Sequence, residues 1–219
     1  MPKQLNHGSP INKLTSIHLF RSFALTYRET EHTLAKKADT RLRLLKAARH
    51  LVQQGGFSAA SASAVAKESG VASGTIYRHF PNKSELVAEV FRYATEREVA
   101  AVAQACDCGE TAAVETFAQR ALLGRTLAYA LIAEPVDPRV EQERLRYRFA
   151  YAEIFEDVIA LGIQRGEFVA QNCQITAAAL VGLLAESLVG PLKKEHEHEH
   201  DDLVHSLTAL VLRAVGFKA

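Results

Sequence analysis

The sequence predicts an all-α fold. Three observations carry that expectation: apolar residues recur at helical spacing from Thr40 onward, glycine- and proline-containing stops separate the periodic stretches, and no period-two run marks a strand. About nine helices are expected, three in a small N-terminal module and the rest in a C-terminal helical bundle.

Residues 1–39 form an N-terminal arm. Pro2, Gly8 and Pro10 argue against helix at the extreme terminus, while Leu14, Ile17, Phe20, Phe23 and Leu25 fit one short apolar-faced helix before Tyr27. From Thr40 the pattern sharpens. Leu44, Leu45, Ala48, Leu51 and Val52 share one face of a first helix, with Arg41, Arg43, Lys46, Arg49 and Gln53 between them and Gly55-Gly56 as the stop. Phe57 enters the core of the module, and Ser61 caps a second helix whose Ala62, Val65 and Ala66 face inward before Ser69-Gly70 ends it. A third short helix runs from Ser73 to His79, with Ile76 inward and Phe80 closing the core. Two short helices joined by a tight glycine-containing turn make a helix-turn-helix.

Asn82 opens a fourth helix, its side chain accepting from first-turn amides while Glu85 returns the bond as in a capping box. Leu86, Val90, Val99 and Val102 carry this helix away from the small module until Gly109 breaks it. Further helices are expected at 111–133, 138–164, 173–189 and 201–215, with Asp137-Pro138 as a start signal and Gly166 and Gly190-Pro191 as stops. The domain reading is therefore an arm at 1–39, a helix-turn-helix module at 40–92 and a helical body at 93–219.

Composition narrows the function. A 48% hydrophobic chain has material for a real core. Apolar stretches such as 177–185 and 209–212 fall short of a membrane span, and no signal-like segment opens the chain, so the expectation is a cytoplasmic protein without a membrane partner. Cys106, Cys108 and Cys173 make neither a disulfide framework nor a paired metal site and read as free thiols. The formal net charge of +1 conceals an asymmetry: residues 1–92 carry 14 Lys or Arg against 6 Asp or Glu, and residues 93–219 carry 12 against 19. A basic module fused to an acidic body points to a polyanion as the partner of the first part.

The run Val65-Ala66 through Gly70-Val71, followed by Gly74-Thr75-Ile76-Tyr77-Arg78-His79-Phe80-Pro81-Asn82-Lys83-Ser84-Glu85-Leu86, resembles the DNA-binding domain of the TetR family of bacterial regulators. The likeness covers roughly residues 40–92, while the C-terminal half resembles the family only in length and helical rhythm. It departs from the family pattern at Ala72, where a capping serine or threonine is usual, and at Ala64, where an acidic residue is frequent. The resemblance implies a repressor, or less often an activator, that binds a palindromic operator as a homodimer and responds to a small-molecule effector held in its C-terminal domain.

In a helix-turn-helix the second helix enters the major groove, and residues near its N-terminal end reach base edges while flanking residues meet phosphate. Candidate base readers are Ser73 and Arg78. By resemblance, Ser61, Thr75, Tyr77 and Lys83 are phosphate contacts; Gly74 permits close backbone approach, and His79 lies at the end of the same helix. The rival roles are packing of Tyr77 on Phe80 and capping or packing by His79.

In the body, Phe117, Tyr129, Tyr147, Phe149, Tyr151 and Phe155 supply aromatic surface for a cavity between bundle helices, though core packing uses the same residues. Arg125, Arg144 and Arg148 lie among them. The candidate effector pocket is Phe117, Arg125, Tyr129, Tyr147, Arg148, Tyr151 and Phe155, and the expected effector is mainly apolar with an acidic or polar group. The candidate dimer face is Ala178, Gly182 and Ala185 on the penultimate helix and Leu203, Leu207, Leu210 and Val211 on the last.

The segment Glu195-His196-Glu197-His198-Glu199-His200-Asp201-Asp202 contains metal-ligand types, but the absence of apolar residues from Lys193 to Asp202 favours a solvated linker. No metal or other cofactor is expected. There is no glycine-rich phosphate loop, nucleophile elbow or HExxH to suggest catalysis. The alternatives are a constitutive DNA-binding or architectural protein without an effector and, less favoured, a helical enzyme.

Overall fold

The structure, a computed structural model, describes residues 31–106, 111–193 and 200–218. Among them lie nine helices and no strand: α1 (Glu31–Ala59), α2 (Ala62–Ser69), α3 (Ser73–His79), α4 (Lys83–Ala105), α5 (Ala112–Leu123), α6 (Arg125–Ile132), α7 (Pro138–Gln164), α8 (Cys173–Lys193) and α9 (His200–Val215). The fold is all-α, as the periodicity predicts.

Helix α1 starts at Glu31 rather than Thr40, so the arm expected over 1–39 is helical from residue 31. The reason is local. No glycine or proline lies between Tyr27 and Gly55 to stop the helix, and the Thr40 hydroxyl donates to the Lys36 carbonyl at 2.9 Å. The rest of the arm, with the short helix expected before Tyr27, lies outside the described residues. At the other end Gly55 and Gly56 leave helical geometry, Gly56 with φ +69°, and this kink swings Phe57 into the core.

The buried face of α1 (Leu44, Leu45, Ala48, Val52) meets Val65 and Ala66 of α2, Ile76 of α3 and the wholly buried Phe80. This apolar cluster continues through Leu86, Val90, Phe91 and Ala94 of α4 to Leu127 and Ala130 of α6 and Val140 and Tyr147 of α7. The core of the helix-turn-helix thus runs across residue 92 into the body. A second cluster joins Val102 to α5, α8, α9 and the inner face of α7.

Polar ties reinforce the α4–α7 contact. The Ser84 hydroxyl donates to the Asp137 carboxylate, Arg139 pairs with Glu85, and Arg92 donates to Glu143 at 2.5 Å. Asn82 caps α4 by accepting from the Glu85 amide at 2.8 Å. The reciprocal half of the expected capping box does not form, because the Glu85 carboxylate is drawn to Arg139 and Arg92.

Two further expectations change. The single helix expected over 111–133 is two, because Gly124 (φ −110°, ψ 45°) breaks the run between α5 and α6. Gly190-Pro191 does not stop α8, which continues to Lys193. Pro191 there forfeits one amide donor in the last turn, and its own carbonyl accepts from Arg125. The break expected at Gly109, Cys108 and residues 194–199 of the histidine-rich stretch lie outside the described residues. Cys173 is a free thiol.

One helix, α8, is long and apolar enough to cross a membrane by length and composition. Its Ala177, Leu180, Val181, Leu184, Leu188 and Leu192 are instead buried against the protein's own second core cluster.

Candidate nucleic-acid interface and effector cavity

The turn between α2 and α3 is built by backbone chemistry. Ser61 caps α2 by accepting from the Ala64 amide at 3.2 Å, and Gly70, in the left-handed region (φ +67°), closes its C-terminal end while the Val71 amide bonds Ala66 at 3.1 Å. Arg43 of α1 donates to the Ser69 carbonyl at 2.9 Å and fixes the turn against α1. At the start of α3, Ala72 provides no side-chain cap.

Ser73, Gly74, Tyr77, Arg78 and Lys83 are exposed together along α3 and the start of α4, with Thr75 and Ser61 half-buried beside them. Tyr77 is 57% exposed and does not take its rival role against Phe80. That place is occupied by Arg41, whose guanidinium lies 4.5 Å from the Phe80 ring centroid, and by the His79 ring at 6.4 Å. Arg41 also donates to the His79 carbonyl at 2.9 Å and pairs with Glu89 of α4. It therefore pins the recognition helix from behind. His79 is half-buried, and burial, then the positive charges of Arg41 and Lys37, hold its ring pKa below the ordinary value of 6.5. A cap or packing role and a surface role are both open to it, whereas Gly74 has no neighbour within 4 Å of where a Cβ would stand.

A cavity of about 330 Å³ opens beneath this module. Its apolar wall includes Phe117, Leu127, Tyr151, Phe155, Val181 and Leu184, and Phe117 meets Tyr151 edge to face at 5.4 Å. Of the residues expected there, Phe117, Tyr147, Arg148, Tyr151 and Phe155 line it. Arg125 and Tyr129 do not. Arg125 turns to the Pro191 carbonyl and to His200 at 2.9 Å, and the Tyr129 ring stacks beneath the Lys193 ammonium at 4.9 Å. Both are spent on holding α6 to the end of α8. Phe149 is 61% exposed. Burial pushes the Tyr151 and Tyr147 hydroxyls well above the usual phenol range, so both stay neutral donors, Tyr147 donating to Glu96 at 3.2 Å.

Sequence reading missed the polar part of the cavity. Arg49 and Gln53 reach it from α1, Thr95 and Glu98 from α4, and Arg120 from α5. Glu98 accepts from Arg120 Nε at 2.6 Å and faces Arg49 at 3.6 Å, while the Thr95 hydroxyl and Arg49 Nε are buried without a hydrogen-bond partner. Arg144 also lines the cavity, but its guanidinium caps the end of α6 through the carbonyls of Ala130, Leu131 and Glu134. No local pattern marks Arg49, because on α1 it sits on the polar side of the helical repeat.

The candidate dimer residues divide. Ala178, Gly182 and Leu210 are exposed and Ala185 and Leu203 half-buried, but Leu207 and Val211 are 3% and 6% exposed within the second core cluster. Those two close the chain's own core, where α9 packs against α5 and α8. Among the described residues no group of three or more His, Cys, Asp or Glu is placed to hold a metal ion.

Comparisons with known proteins agree with this geometry. Residues 44–90 match the family model described as bacterial regulatory proteins, tetR family. The chain is 21% identical over 195 residues to the fatty acid metabolism regulator protein of Bacillus subtilis, covering 84% of this chain and all of that one. It is 38% identical over 61 residues to the transcriptional regulator UidR of Escherichia coli, a match spanning 28% of this chain and 31% of UidR. Among solved structures, FadR of Bacillus subtilis in complex with stearoyl-CoA superposes with a TM-score of 0.67 at 18% identity, over 80% of this chain and 98% of that one. The fold, the helix-turn-helix and the family match converge: residues 44–90 are a DNA-binding domain of the TetR family, and the chain is a DNA-binding transcriptional regulator.

Proposed function

We propose that this regulator binds a two-fold operator as a homodimer and releases it when a mainly apolar small molecule bearing a polar or acidic group fills the cavity. The observation that carries the reading is the composition of the cavity wall, in which side chains of α1 and α4, the helices that hold α3, stand beside the apolar residues of the body. A ligand there touches both the sensing body and the frame of the recognition helix.

On the DNA side, Ser73 and Arg78 read base edges, and Ser61, Thr75, Tyr77 and Lys83 meet phosphate. Gly74 supports close approach: glycine costs about 1 kcal/mol in a helix relative to alanine, and no internal neighbour requires it. His79 stays neutral and helps orient the helix end. Half-sites are expected about 34–36 Å apart or somewhat more. The dimer forms through the exposed small-residue face of α8 around Ala178 and Gly182 with Leu203 and Leu210 of α9, where close helix approach is open.

The cavity volume lies near the lower end of the ~300–1,000 Å³ typical of small-molecule sites, which suits a compact effector or the acyl part of a larger one. The stearoyl-CoA bound by FadR supports testing fatty acids and acyl thioesters first. Release requires the ligand to bind the DNA-incompetent state more tightly. A thermal-shift screen of such compounds, followed by titration of the hits against a fluorescent operator, tests the reading. Hits that raise the melting temperature and leave operator affinity unchanged would refute the sensing mechanism.

A further inference from the structure

The polar wall of the cavity has an imbalance. One carboxylate, Glu98, is shared by two guanidinium groups, but not equally. Arg120 Nε lies 2.6 Å from Oε2, a strong charge-assisted hydrogen bond, and that bond raises the Arg120 pKa. Arg49 Nη2 stands 3.6 Å from Oε1, beyond hydrogen-bond length, and its Nε is buried without a partner. One turn before Glu98 on α4, Thr95 also lines the cavity, and its hydroxyl is buried without a partner. Two donors of cavity-lining residues are therefore unsatisfied, and a buried donor without a partner is costly. An anion placed between Arg49 and Thr95 would satisfy both.

Arg49 and Glu98 also sit on different helices, α1 beside the recognition module and α4 as its connector to the body. Their ion pair is a tie between those helices on the cavity side. We propose that Arg49 is the anion-recognition and coupling residue of this regulator: a carboxylate or phosphate of the effector takes Arg49 from Glu98, with Thr95 as second donor, and loosens α1 from α4. Glu98 stays with Arg120, so the exchange leaves no carboxylate unpaired. Binding energy gained only when the tie is broken is the differential affinity that shifts a two-state protein. This inference rests on reading the cavity as the effector site.

The test compares decanoate, decanoyl-CoA and the neutral decanol on the full-length protein, with binding followed by calorimetry and operator release by fluorescence anisotropy. The wild type is expected to bind at least one anionic probe about tenfold or more tightly than decanol, as a charge-assisted bidentate contact allows. Arg49→Met should erase that preference, and Arg49→Lys should restore part of it. Glu98→Gln, which frees Arg49, should strengthen anion binding and weaken operator binding without any ligand. Melting curves of each variant exclude unfolding as the cause. An anion-to-decanol ratio unchanged in Arg49→Met, or equal binding of all three probes by the wild type, overturns this inference and leaves the cavity reading standing. Failure of every probe to bind removes both.

Discussion

Glu134, two residues beyond the end of α6, accepts a 3.0 Å hydrogen bond from the backbone N–H of Phe57, and its carboxylate fills the space that a side chain at Gly56 would occupy. A Cβ on Gly56 would stand 2.7 Å from Glu134 Oε2, and φ +69° is itself strained for any other residue. Gly56→Ala is expected to lower stability by about 2–3 kcal/mol, combining that strain with loss of a hydrogen bond to a charged acceptor. Glu134→Ala should cost about 1–3 kcal/mol. Urea denaturation measures both, and a double variant scarcely worse than Gly56→Ala alone would show that the two act through one contact.

Arg41 is expected to matter for stability before it matters for DNA. Arg41→Ala loses the hydrogen bond to the His79 carbonyl, the ion pair with Glu89 and the stack on Phe80, together about 1–3 kcal/mol at a half-exposed site. Near-normal stability with weakened operator binding in the same variant would mean that Arg41 faces phosphate instead.

Lys83 and Arg78 should respond differently to removal. Lys83→Ala is expected to weaken operator binding almost uniformly over sequence variants and to flatten the salt slope by about one unit. Arg78→Ala should cost about 1–3 kcal/mol of discrimination at one base position. Titrations over an operator library separate the two, and identical uniform losses would reduce Arg78 to a phosphate contact.

Acid should destabilise the free protein in two windows. The folded His79 has a pKa below its ordinary 6.5, so between those values the unfolded chain binds the extra proton and stability falls as pH drops below about 6.5. The Ser84 hydrogen bond, then the Arg139 amide, holds the Asp137 carboxyl below its ordinary 3.8, so its contribution persists until the pH falls through that range. Thermal melts of His79→Gln should lose the first window and keep the second. An unchanged profile would show that His79 is solvated like a free imidazole.

The two sides of α9 are expected to separate assembly from folding. Leu210→Glu, on the exposed side, should yield a folded monomer with poor operator binding, whereas Leu207→Ala, inside the core, should cost about 2–5 kcal/mol of stability. Sedimentation of each at micromolar concentration provides the check, and a Leu210→Glu protein that remains dimeric would move the interface elsewhere.

Local chemistry is what the sequence by itself determined. Ser61, Gly70, Asn82 and Asp137 specify helix ends through bonds to residues within a few positions, and the GTIYRHF run exposes Tyr77 and Arg78 while burying Ile76 and Phe80 by the helical repeat alone. Such features depend on neighbours in the chain, so they are legible without the fold. The tertiary structure alone decided which polar side chains turn inward. Arg49 and Glu98 are 49 positions apart and Phe57 and Glu134 are 77 apart, and nothing in the helical repeats of Arg49 and Glu98, or in the position of Glu134 beyond α6, separates these three from solvated charges. Arg125, Tyr129, Leu207 and Val211 lie at well-chosen periodic positions yet serve other contacts, because periodicity sets a side chain's direction from its own helix axis and packing sets what lies in that direction.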